Sequence, residues 1–187
     1  MEIEAKVRLK NPSKLRTSLM SGGANYIGRT LEKNWLYDYP ERTLMRADKL
    51  LRIRQDVRTV LTFKGPRQRS EYKMREELQL EFPDTSSARS LLEAVGFVSW
   101  FYYEKIRETW RLDTCEIVLD DLPELGLFVE VEAPTADEIE SVMKKLKLKR
   151  ELISLSYVEL FQDLLKRTNK RAAEFKFSPE FKSALAS

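Results

Sequence analysis

Glu2-Ile3-Glu4-Ala5-Lys6-Val7 opens the chain with two carboxylates and an amine on alternate residues. In an extended strand alternate side chains share a face, so Glu2, Glu4 and Lys6 point one way and Ile3, Ala5 and Val7 the other. The pattern returns along the chain. Arg52 and Arg54 alternate with Leu51 and Ile53, Thr62 and Lys64 with Leu61 and Phe63, and Glu130 and Glu132 with Val129 and Val131. Lys105 and Arg107 flank Ile106, Asp120 follows Leu119, and Arg75 and Glu77 share one parity. Two chemistries follow. The basic set is Lys6, Arg52, Arg54, Lys64, Arg75, Lys105 and Arg107. Guanidinium forks match phosphate oxygens, and lysines supply point charges. The acidic set is Glu2, Glu4, Glu77, Asp120, Glu130 and Glu132. Glu-x-Glu pairs on two strands offer the oxygen donors that a hard divalent cation takes. Together the sets suit a polyphosphate held through cations and bridged to carboxylates by Mg²⁺ or Mn²⁺.

For any single strand the plain alternative is a wet face with weak cross-strand salt pairs. The strands taken together weaken that alternative. Their apolar faces must pack on something, and helices predicted at 11–21, 84–95, 135–148 and 156–167 are available to cover them from outside. Helices outside and charges inside describe a barrel of inverted polarity. Such an interior is costly unless its charges are paired or a ligand fills it.

The elements that must position these residues are legible in outline. Predicted strands lie at 2–10, 30–39, 50–55, 57–64, 72–82, 101–112, 115–121 and 127–133. Asn11 and Pro12 start the first helix, and Gly22-Gly23 stop it. Asp84 caps the second, which Gly96 ends. Thr135-Ala136-Asp137-Glu138 and Ser156-Tyr157-Val158-Glu159 read as capping boxes for the last two. Residues 67–70, Arg-Gln-Arg-Ser, read as a basic loop. The order charged strand, capped helix, glycine stop, strands occurs twice, a faint internal repeat. Residues 1–167 are expected to form the barrel domain, and 168–187 a tail or docking helix carrying Phe175, Phe177 and Phe181.

Composition removes several function classes. Histidine is absent, so no imidazole serves as acid, base or metal ligand. The lone Cys115 forms no internal disulfide and suits a reducing, cytoplasmic setting. A net charge of +3 arises from 33 basic and 30 acidic residues, a balance that calls for no nucleic-acid partner. No apolar run is long enough for a membrane span, so no membrane partner is expected. A monomer or a homodimer is compatible with all of this.

The motifs Glu2-x-Glu4-x-Lys6, Leu51-Arg52-Ile53-Arg54, Thr62-Phe63-Lys64-Gly65-Pro66, Lys105-x-Arg107, Leu119-Asp120 and Leu125-Gly126-x-Phe128-Val129-Glu130-Val131-Glu132 resemble, in order, the CYTH superfamily. These are the triphosphate tunnel metalloenzymes, named for class IV adenylyl cyclases and thiamine triphosphatases. Ser156-Tyr157-x-x-Leu160 and Gly96-Phe97 look most like the class IV adenylyl-cyclase-like branch. The resemblance implies an α+β fold: a closed antiparallel eight-stranded β-barrel, the triphosphate tunnel, with helices packed outside. It implies triphosphate on the basic set and one or two Mg²⁺ or Mn²⁺ ions on Glu2, Glu4, Asp120, Glu130 and Glu132, with Glu77 nearby. One departure stands out: where the family strand commonly reads Arg-x-Glu-x-Glu, Arg75-x-Glu77-x-Gln79 has an amide in place of the second carboxylate.

Two reactions fit such a tunnel. A triphosphatase would hydrolyse tripolyphosphate or a small organic triphosphate such as thiamine triphosphate. A cyclase would convert ATP to cyclic AMP and pyrophosphate. Trp35, Tyr37, Trp100 and Tyr102 are candidates to stack a base, although such residues are more often core. Lys6 and Glu4 are the expected catalytic pair. Lys6 would assist proton transfer provided that neighbouring cations and burial depress its pKa. A non-catalytic polyphosphate-binding module would have no need of the Glu pairs.

Overall fold

Strands with one charged and one apolar face can close on themselves in either sense, and here the apolar faces turn outward. The computed structural model describes residues 2–68, 72–169, 171 and 174–186, less the side chains of Glu2, Lys73 and 183–186. Arg69 and Ser70 of the expected basic loop lie outside the described residues, as does the side chain of Glu2.

The chain runs β1 (Glu2–Arg8), α1 (Pro12–Ser21), β2 (Asn25–Asp38), α2 (Thr43–Arg46), β3 (Leu50–Gln55), β4 (Thr59–Lys64), β5 (Lys73–Arg75), β6 (Glu77–Phe82), α3 (Thr85–Ala94), β7 (Val98–Leu112), β8 (Cys115–Leu122), β9 (Gly126–Ala133), α4 (Ala136–Lys145), α5 (Tyr157–Thr168), β10 (Glu174–Phe175) and α6 (Pro179–Ala186). The strands form one sheet in the order β5-β1-β9-β8-β7-β2-β3-β4-β6. Its two edges, β5 and β6, are separated only by Glu76. They are the halves of the single strand predicted at 72–82, broken where the Glu76 carbonyl accepts from the Gly65 N–H at 2.9 Å. The sheet is thereby a nearly closed antiparallel barrel of nine strands, or eight when β5 and β6 are counted as one. The two-residue β10 is the exception, pairing parallel with β7.

Two strands are longer than predicted. β2 and β7 pair with each other from Asn25↔Arg111 to Asp38↔Val98, with irregularities at Tyr26/Gly28 and Leu36/Tyr37. Mutual pairing extends both beyond the segments whose composition marks them as strands.

Helices α1, α4 and α3 cover the outside, and α5 closes the barrel end against inward-facing residues. Leu15 and Leu19 of α1 and Ile139, Val142 and Met143 of α4 pack on Ala5, Val7, Ile117, Val129 and Val131. Ala88 and Leu92 of α3 pack on Tyr37, Leu51 and Ile53. Tyr157, Val158, Leu160 and Phe161 of α5 pack on Phe101, Tyr103, Leu122 and Phe128. Each large aliphatic or aromatic side chain buried this way stabilises the fold by roughly 1.5–3 kcal/mol. The caps set the helix starts. Asn11, Asp84, Thr135 and Ser156 each accept a backbone N–H from the first turn. Only Ser156 forms the reciprocal capping box, because the Glu138 carboxylate is engaged by the Thr114 and Thr135 hydroxyls instead.

The tail docks. Phe175 stacks on Phe161 with ring centroids 4.1 Å apart. The Phe177 N–H donates to Glu104 Oε2 at 2.9 Å, and Lys182 Nζ to Glu104 Oε1 at 2.6 Å. Among the described residues no helix is long and apolar enough to cross a membrane.

Candidate functional site

The barrel encloses a cavity of about 270 Å³. Its lining carries Glu4, Lys6, Arg52, Arg54, Lys64, Arg75, Glu77, Lys105, Arg107, Glu130 and Glu132 from the expected sets. Asp120 is also inward but lies beneath the lining, fully buried. The backbone of Glu2 pairs with Arg75, and its side chain lies outside the described residues.

One half of the interior is dense. Lys6 Nζ lies 3.3 Å from Glu4 Oε1 and 3.1 Å from Glu130 Oε1, and it donates to the Leu155 carbonyl at 3.1 Å. Asp120 accepts from Lys105 Nζ at 3.1 Å, from Arg107 Nε at 2.8 Å and Nη2 at 2.6 Å, and from the Tyr157 hydroxyl at 2.9 Å. Arg107 also reaches Glu130 Oε2 at 2.7 Å. Glu32 lies 3.2 Å from Lys105 and 3.7 Å from Arg107.

These contacts set the ionisation states. Burial alone would lower Lys6, but the carboxylates of Glu4 and Glu130 outweigh it and hold Lys6 above the usual lysine range. That overturns the condition on which Lys6 was expected to move a proton: its neighbours are acids, not cations. Burial would raise Glu32, yet Lys105, Arg107, Arg54 and Arg52 pull it down to about 2. Burial, then the charges of Asp120 and Glu130, raise the Tyr157 hydroxyl well above the usual tyrosine range, so it stays a donor.

The other half is looser. Arg54 stands 3.9 Å from Glu32 and 3.6 Å from Asp56. Lys64 pairs with Glu77 at 2.6 Å, and Arg75 with Asp48 at 2.8 Å. Arg52 is held above its usual range: burial lowers it, while Tyr103, Glu32 and Glu77 raise it. Among the described residues, the Nε atoms of Arg52, Arg54 and Arg75, the Thr62 hydroxyl and both polar atoms of the Asn34 amide are buried without a hydrogen-bond partner. Register explains their grouping, since Asn34 lies opposite Arg54, and Arg52 opposite Thr62. Buried donors without acceptors are costly in isolation, and an anion in the cavity would supply acceptors to the three arginines, which line it.

The carboxylates have the chemistry a hard divalent cation takes. Glu4 on β1, Glu132 on β9 and Glu116 on β8 are direct register partners across three adjacent strands. Like charges directly opposed are destabilising, and a cation between them would relieve that repulsion. As the side chains stand, no three such groups converge on one point among the described residues. Gln79, the departure from the family pattern, also lines the cavity and donates to Glu77 Oε1 at 2.7 Å.

Sequence reasoning missed Glu32, Asn34, Tyr103, Glu116 and Tyr157. Glu32 adjoins Lys33, so charge alternation does not say which of the two faces inward. Tyr157 comes from a helix rather than a strand, and only the docking of α5 across the barrel end brings it to Asp120. Lys6 Nζ sits 4.2 Å from its ring centroid. Of the four aromatic candidates, Trp35 and Tyr102 pair at 5.1 Å on the outside of the barrel. Tyr37 and Trp100 border a second cavity of about 170 Å³. Leu50, Arg75, Ser156 and Val158 line both cavities, so the second adjoins the tunnel.

Comparison with known proteins gives a consistent picture. Residues 1–157 match the model of the CYTH domain. A protein of Methanocaldococcus jannaschii, provisionally named an adenylate cyclase, is 29% identical over 171 residues, covering 86% of this chain and 98% of that protein. A Pyrococcus horikoshii structure is 23% identical with a TM-score of 0.76, covering 87% of this chain and 99% of that one. A Hippeastrum structure, 22% identical with a TM-score of 0.68, covers 87% of this chain and 96% of its own. It is described as a provisionally named adenylyl cyclase with a dominant triphosphatase activity.

Proposed function

The chain belongs to the CYTH domain family, whose members are adenylyl-cyclase-like or triphosphatase enzymes that use divalent metals, and on that premise we propose that it is a metal-dependent triphosphatase. Its substrate is tripolyphosphate or a small organic triphosphate held in the tunnel. The observation that supports the reading is the set of buried guanidinium Nε donors of Arg52, Arg54 and Arg75, which line the cavity without a hydrogen-bond acceptor opposite a wall of carboxylates.

In this reading Arg52, Arg54, Lys64 and Arg75 bind the phosphoryl oxygens, with Lys105 and Arg107 at the boundary between the halves. Glu4, Glu130 and Glu132 hold the divalent ion, Mg²⁺ or Mn²⁺, with Glu116 across the ladder, and Glu2 and Glu77 remain in the proposed set. Bound there, the ion neutralises phosphoryl charge and polarises the bond to be broken. Asp120 is engaged by four hydrogen bonds, so its part is to fix Lys105 and Arg107. Lys6 stays protonated and holds Glu4 and Glu130 in place. Accepting a proton from attacking water then falls to a carboxylate of the acidic wall, Glu4 first. Phosphoryl transfer needs positioning and charge stabilisation more than covalent help, and this interior supplies both.

The alternative is cyclisation of ATP. The M. jannaschii relative's name favours it, and the adjoining cavity beside Trp100 would take the base. A product assay separates the two. The protein is incubated with Mg²⁺ or Mn²⁺ and, separately, tripolyphosphate, thiamine triphosphate and ATP. Orthophosphate without cyclic product supports hydrolysis. Cyclic AMP with pyrophosphate replaces it by the cyclase.

A further inference from the structure

The β2–β7 ladder has two faces, and only one of them belongs to the tunnel. Glu32, Asn34, Tyr103 and Lys105 point inward. Their neighbours Lys33, Trp35, Tyr102 and Glu104 point outward, with Lys33 opposite Glu104 and Trp35 opposite Tyr102. On that outer face the docked tail builds a cleft of about 560 Å³. The tail lies beyond the residues that match the CYTH domain.

Charge in the cleft does not balance. Lys33 and Glu104 are direct cross-strand partners and would ordinarily pair. The tail prevents it. Glu104 is 2% exposed, and its two oxygens accept from the Tyr102 hydroxyl at 2.9 Å, the Phe177 N–H at 2.9 Å and Lys182 Nζ at 2.6 Å. Lys33 therefore loses its natural counter-ion, and among the described residues it makes no ion pair. Arg89, from α3, reaches the same cleft, where its acid partner is Glu93 at 4.0 Å. Glu174, the other acid on the rim, pairs with Lys176. Arg89 lies over the Trp35 ring at 5.8 Å and Lys176 over the Tyr102 ring at 5.1 Å, so both cations are held at the walls.

We infer that this outer cleft is a second anion site, which binds a phosphate-bearing small molecule between Lys33 and Arg89. Phosphate presents several acceptor oxygens, enough for the Lys33 ammonium from β2 and the Arg89 guanidinium from α3 at once. The site is independent of the proposed tunnel chemistry.

The test is calorimetric titration of the full chain with inorganic phosphate and, separately, AMP, without added metal. Lys33→Gln is expected to weaken one binding event about tenfold or more, the loss of one charge-assisted contact. Arg52→Ala is expected to leave that event in place. Lys182→Gln supplies the second check: it releases Glu104 to Lys33, and affinity is expected to fall although Lys33 is intact. Tighter binding of AMP than of phosphate identifies a phosphate ester as the ligand, and equal binding identifies the free ion. The inference is overturned if phosphate and AMP titrate identically in the Lys33→Gln variant and the unaltered protein, or if all binding disappears with Arg52→Ala.

Discussion

The two halves of the tunnel interior differ in how far they are already satisfied. In the dense half, Lys6, Lys105, Arg107, Asp120 and Glu130 are closely paired and nearly closed to solvent, with Asp120 and Lys105 at 0% and 2% exposure. In the looser half, Arg54 and Lys64 keep 23% and 17% of their side-chain surface, and donors on Arg52, Arg54, Arg75, Thr62 and Asn34 lack acceptors. The contrast separates structure from binding. A buried, paired network mainly holds its members in place, and removing one partner strands the others. A wall of donors without acceptors is where an anion gains most. Charge type alone, identical in the two halves, does not make that distinction.

The largest expected effect breaks the dense half. Asp120→Ala leaves Lys105, Arg107 and Tyr157 without their shared acceptor and is expected to cost about 3–5 kcal/mol of stability, read as a fall in the denaturation midpoint. Arg52→Ala should do the opposite: kcat/KM for the triphosphate falls roughly 10²–10³-fold, while the denaturation midpoint hardly moves. Equal loss of stability in both variants would erase the distinction.

Acid sharpens it further. Glu32 is held down to about 2 from an ordinary 4.5. A depressed carboxylate stabilises the fold above its unfolded pKa and loses that contribution as the pH falls through its folded one. Stability is therefore expected to decline from about pH 4.5 toward pH 2, by on the order of 3 kcal/mol. The Glu32→Gln variant, checked by melting at several pH values, should be less stable near neutrality and less acid-sensitive across that window. The smallest effect belongs to Gln79→Glu. It exchanges the hydrogen bond to Glu77 for a like charge, and half-saturation by Mg²⁺ is expected to shift by less than about tenfold.

Much of this was legible in the sequence because strand parity is a binary code. Alternation placed Arg52, Arg54, Lys64, Lys105, Glu130 and Glu132 on one face, and the caps placed the helices that cover the other. Parity fails where it is ambiguous, as at Glu32-Lys33, and where a site residue arrives from another element, as Tyr157 does from α5. It also says nothing about pairing. Lys6 reads as a proton carrier until its two carboxylate neighbours are seen, and they hold it charged. The break at Glu76 shows in the sequence only as an interruption of the apolar face Tyr72, Met74, Leu78, Leu80 and Phe82, which does not say that the backbone turns to Gly65 there.

The central claim is that triphosphate occupies the looser half of the tunnel. The direct measurement is calorimetric binding of tripolyphosphate to the unaltered protein and to the Arg52→Ala and Arg54→Ala variants, with folding checked by melting. The account predicts saturable binding that weakens by about tenfold or more in each variant at little change in melting temperature. Undiminished binding in both well-folded variants would contradict it.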